Sequence, residues 1–117
     1  MKNYVAPGNT LTFTAAGTIS SGDVVVTQNV VGIAQEDAVS GETVELLIEG
    51  IVRLPKNTST AITFGERVDW DNSATQVDKA ITPAASDVQD FGIATETVLA
   101  AATHVNVKLQ PGIGTFT

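Results

Sequence analysis

The chain has 117 residues, a hydrophobic fraction of 43%, no cysteine, and a formal net charge of −7 from 13 acidic against 6 basic residues. That length implies a single domain with a radius of gyration of about 13 Å and a core that needs no staples, while the lack of cysteine excludes disulfides and thiolate metal sites. The acid excess opposes phosphate backbones, whose recognition rests on Lys and Arg releasing counterions, so nucleic acid is excluded as a partner.

In chain order, Met1 to Asn9 carries one charge and no apolar run, so neither a signal peptide nor a membrane span is expected there. Pro7 disfavours helix at Ala6, and Pro7-Gly8-Asn9 is turn chemistry, so residues 1–10 read as an extended arm and 11–117 as one β-domain. Ten extended residues span about 33 Å, enough for the arm to lie on another subunit. Leu11 and Phe13 alternate with threonines as a first strand, and Asp23–Thr27 and Val30–Gln35 are rich in β-branched residues.

Thr43 to Pro55 is the longest strand-like run. Val44, Leu46, Ile48, Val52 and Leu54 share one parity, and Gly50 marks a bulge or bend. Leu47 and Ile51 are the apolar exceptions on the wet face, which makes them candidates for a covered or subunit-facing surface. Lys56 to Thr60 reads as a polar connection. Ala61 to Trp70 then places Ile62, Phe64, Val68 and Trp70 on one parity, with Gly65 as a turn or bulge. A hairpin turn at Asp71-Asn72-Ser73 leads into Thr75–Ile81, and the last strands are Val88–Thr95 and His104–Gln110. Leu99–Thr103 is long enough for one helical turn at most.

The chain also repeats itself. Gly32-Ile33-Ala34-Gln35-Glu36 matches Gly92-Ile93-Ala94-Thr95-Glu96, each followed by a loop and an alternating strand, and each preceded by a Gly-acid pair, Gly22-Asp23 or Gly65-Glu66. The fold expected is therefore all-β: a small barrel or sandwich of two similar β-units.

Chemistry is sparse. His104 is the only histidine and its parity opposes Val105, so it faces solvent or a partner, and no base remains for a serine triad. Asp69, Asp71, Asn72 and Asp78 resemble calcium ligands only in spacing, since Ala74 and Ala80 stand where an EF-hand loop needs glycine and glutamate; a solvated hairpin tip is the simpler reading. No glycine opens a helix to cradle phosphate, and Trp70 reads as packing rather than a sugar platform. No cofactor, metal or catalytic group is expected.

Taken together, MKNYVAPGNTLTFTA, GIAQEDAVSGETVELLIEGIVRLP, FGERVDWDN and FGIATE resemble, in order and spacing over nearly the whole chain, small tailed-phage proteins known as capsid cement or decoration proteins. The resemblance implies a non-enzymatic β-domain, typically a homotrimer, made in the bacterial host cytoplasm. It implies a place on the outer surface of the expanded head, where the protein clamps neighbouring major capsid protein subunits. Avidity lets each contact be weak. Under that reading the arm residues Asn3, Tyr4, Val5 and Pro7 are candidate capsid contacts, able to add a strand to a shell edge, and Leu47 and Ile51 belong to the subunit interface. The competing expectation is a carbohydrate- or ligand-binding β-module of a virion, which needs exposed aromatics; these make up only 5% of the chain.

Overall fold

A computed structural model describes residues 3, 8–111 and 114–117. Its ten strands are β1 (Thr10–Thr14), β2 (Val24–Thr27), β3 (Val30–Ala34), β4 (Thr43–Leu47), β5 (Gly50–Pro55), β6 (Arg67–Asp71), β7 (Gln76–Asp78), β8 (Val88–Ala94), β9 (His104–Leu109) and β10 (Thr115–Phe116). They form two antiparallel sheets. The first has the order β1-β4-β3-β2; the second runs β5-β9-β8-β6-β7, with β10 paired to β8.

The two orders are one plan used twice, with β1, β4, β3 and β2 matching β5, β9, β8 and β6. Hydrogen bonds outside the strands repeat as well: Gly22 N–H donates to Ala34 O and Gly65 N–H to Ala94 O, each at 2.8 Å. Isolated bridges join Ile19 to Ala38 in the first unit and Ile62 to Val98 in the second. The sequence repeat around Gly32 and Gly92 is thus a repeat of pairing.

One turn recurs four times. Gly22, Gly41, Gly65 and Ser86 all have positive φ, and each is followed by an acid. The acid's own N–H donates to the carbonyl three residues back, at Ser20, Val39, Thr63 and Ala84. Its carboxylate accepts the N–H of that same residue, at 2.6–2.9 Å in the four cases. A left-handed third residue is what such a turn requires, and glycine takes it without strain in three of the four. Each turn delivers the chain into β2, β4, β6 or β8.

Thr43–Pro55, expected as one strand, is two. β4 lies in the first sheet and β5 in the second, and Ile48-Glu49 crosses between them. The inward parity survives the crossing, with Val44, Leu46 and Leu54 buried, because Gly50 at φ 109 reorients the backbone without shifting the count. Phe64 departs from expectation too. It is 70% exposed, since Gly65 turns the chain before β6 begins, and only Ile62, Val68 and Trp70 of that set are buried.

The main core belongs to the second unit. It gathers eleven buried residues, among them Trp70 and Phe91, whose rings meet edge to face at 6.4 Å. The first unit has a smaller cluster of five, three of them alanines. Val24, Val26, Val31 and Ile33 of the first unit pack against the main core, while Val25 and Ile48 pack on the small one. Little apolar volume is buried on the far face of the first sheet, so much of its burial comes from leaning on the second.

Candidate functional site

β7 has no counterpart in the first unit, and it changes what the second can do. Lys56, at the end of β5, bridges in parallel to Val77, and Asn57 N–H donates to Val77 O at 2.9 Å, so the two ends of the second sheet meet. Four side chains fasten this seam. Asp78 accepts hydrogen bonds from Asn57 Nδ2 and Thr60 Oγ1, both at 2.8 Å, and from Lys79 N–H. Lys56, expected in a polar connection, is buried, and its ammonium donates to the carbonyls of Asn57, Thr60 and Ala100.

Burial pushes the Lys56 ammonium below the usual lysine range, with the Asp78 charge acting in the opposite sense. For Asp78, burial is the largest single influence and would raise its pKa. The hydrogen bonds from Asn57, Lys79 and Thr60, with the Lys56 charge, outweigh it and hold the carboxyl below the ordinary value. Glu66 is likewise lowered, first by the Thr63 N–H it accepts and then by Lys79, which pairs with it at 3.1 Å. All three groups hold structure in place.

The same holds for the acids around the hairpin. Asp69 accepts the N–H groups of Ile81 and Asp90 across the irregularity between Val68 and Trp70. Asp71 caps Ala74, and Asn72 receives Trp70 Nε1 at 3.0 Å. These side chains serve separate hydrogen bonds, and among the described residues no group of three or more His, Cys, Asp or Glu gathers to hold a metal. His104 is half-buried, its Nδ1 3.0 Å from the Thr103 hydroxyl. No catalytic constellation forms around it. Trp70, 2% exposed, offers no platform to a sugar.

What the surface does present is apolar side chains, on loops and on β5. Of the sequence candidates, Ile51 is 62% exposed on β5, whereas Leu47 is half-buried in the middle of the first sheet, opposite Thr10 and Ile33. They lie on different sheets. Asn3 is exposed; Tyr4, Val5 and Pro7 lie outside the described residues. The sequence reading set Phe64 on the inward parity and did not single out Val39 and Leu99, which are 57% and 79% exposed. Val39 follows the bridging residue Ala38, and Leu99 follows Val98, so both units display a bare aliphatic at the same place. Phe64 is held beside the Leu99 loop by its N–H donating to Thr97 Oγ1 at 3.0 Å. A large apolar residue next to a turn glycine or within an alanine run was the available signal.

The described body is all-β, holds several of its carboxylates on its own backbone N–H groups, and bares apolar side chains on loops and on β5. The chain belongs to the phage cement protein family, whose model matches residues 5–109. A comparison with curated proteins found no match.

Proposed function

We propose that the protein is a capsid cement that binds the outer surface of an expanded phage head as a homotrimer and stabilises contacts between major capsid subunits. The family match over residues 5–109 carries this reading. The closed second unit acts in it as a small barrel, a stiff body from which Ile51, Phe64 and Leu99 project, and the first unit adds Val39. Apolar residues on loops pinned by hydrogen bonds, as Val39 and Phe64 are, suit docking because less conformational freedom is lost when they are covered. Three such bodies joined together bind avidly through individually weak patches.

The test is sedimentation of purified protein with expanded heads, alongside its mass in solution by analytical ultracentrifugation. A trimer that saturates expanded heads supports the proposal; a monomer that stays in the supernatant overturns it. Deleting Met1 to Asn9 should leave a folded domain with weakened attachment to heads, because the arm precedes β1 and its described residues lend the body one backbone bond, from Ile48 N–H to Asn9 O at 3.0 Å. Decoration as tight as that of the full chain would remove the arm from the contact.

A further inference from the structure

We propose that the outer edge of β2 receives an extended segment of a partner polypeptide, uncharged or basic, with β-branched apolar residues at alternate positions. The internal repeat supplies the template. β2 and β6 hold equivalent places, but β6 is flanked by β8 and β7, whereas β2 pairs only with β3. The place that Gln76–Asp78 takes beside β6 has no occupant from the described residues beside β2.

The backbone of β2 is poised for such a neighbour. Thr27 and Val30 face each other across a two-residue turn, and Ala34 N–H donates to Asp23 O at 2.9 Å. Antiparallel pairing alternates, so Val25 and Thr27 spend their backbone groups on β3, as Asp23 does its carbonyl, its N–H being held by Ser20 O. The N–H and C=O of Val24 and Val26 point to the other side, where no described backbone group meets them. Bare edges of such high strand propensity are usually blunted by lysine, proline or a covering element, and Val24-Val25-Val26-Thr27 has neither residue.

A cleft of about 680 Å³ adjoins this edge, and Phe13, Ile19, Val24, Val26, Trp70 and Thr75 are among its lining residues. That volume lies within the range of binding clefts. Asp23 is the only charged residue among its described walls, on a chain of net charge −7. An acidic segment is therefore disfavoured, a basic or neutral one accepted. Backbone pairing would give affinity, and the apolar walls would select alternate side chains. The inference goes beyond the cement reading and does not rest on it, since its test needs only the isolated chain.

The probe is a synthetic peptide copying residues 74–82, Ala-Thr-Gln-Val-Asp-Lys-Ala-Ile-Thr, titrated into the full-length 15N-labelled protein. Saturable shifts centred on the Val24 and Val26 amides are expected, with their hydrogen exchange slowed about tenfold or more while Val25 and Thr27 stay as they were. A peptide carrying Val77→Pro should not bind, nor should the Val26→Pro protein, which loses the edge donor together with some packing on the main core. The peptide control stands even if that variant fails to fold. A peptide with Gln76→Glu and Lys79→Glu should bind at least about tenfold more weakly. The proposal is overturned by shifts elsewhere, by no shifts at millimolar peptide, or by undiminished binding of the proline or acidic peptide. Protection of Val24 and Val26 that grows with protein concentration alone would assign the edge to a second copy and overturn it equally.

Discussion

In the second unit β5 and β7 meet at Lys56 and Val77, whereas in the first unit β1 and β2 stand at opposite edges of a four-stranded sheet. The strand order is shared; the insertion that carries β7 is not. One short strand of three residues thus separates a sheet whose ends meet beside a core of eleven buried residues from one beside a cluster of five. Position 56 shows the difference at a single residue. Its counterpart in the first unit is Ala15, and both are buried with their N–H donating across at 2.8 Å, to Thr103 O and Glu42 O respectively. Among the described residues, a lysine is buried only where there is a seam to fasten.

The sharpest way to break the comparison is at the paired glycines. A Cβ on Gly92 would stand 2.6 Å from Lys108 O, a backbone atom of β9, whereas one on Gly32 would meet the Leu46 Cβ at 2.7 Å. The β9 backbone, paired on both sides with β5 and β8, has little room to give way, so Gly92→Ala should cost about 3 kcal/mol or more and Gly32→Ala about 2 kcal/mol. Urea denaturation of both variants checks the order. Next comes the seam itself. Lys56→Ala makes the second unit resemble the first and leaves three carbonyls without their donor, a loss of about 2–3 kcal/mol in the same assay.

The smallest effect depends on pH. Because the folded-state pKa of Asp78 is lowered, its contribution is present above the unfolded carboxyl value near pH 4 and is lost as pH falls through the lower folded value. Asp78→Asn should therefore cost about 1–2 kcal/mol at pH 7, and the gap to wild type should close towards pH 3. Urea midpoints measured at both pH values test this; a gap of constant size would remove the carboxylate charge from the seam.

Much of this architecture was legible in the residues. Alternation located β4, β6 and β9, and the Gly-Ile-Ala match announced the repeat. Alternation is blind to which sheet a strand joins, however, so the passage from β4 to β5 through Ile48-Glu49 looked continuous. Two residues have no periodicity, and β10 exists because Thr115 and Phe116 pair with Gln89 and Val88. Gly22-Asp23 and Gly65-Glu66 were recognisable as a repeated pair. Ser86-Asp87 was not, since serine takes the glycine place. Of the candidate contacts, Ile51 could be read from its parity, but Leu47 is half-covered by strands distant in sequence, and neither Phe64 nor Lys56 sits where local pattern would put it.

The acidity of this protein has a use other than solubility. Nine of its 13 carboxylates, those of residues 23, 37, 42, 66, 69, 71, 78, 87 and 96, accept a backbone N–H. Carbodiimide coupling or wholesale amidation would thus unpick loops before it altered the exterior. Glu36 and Glu49, which receive no hydrogen bond from the described residues, are where a label or a surface tether can be attached with the scaffold left intact.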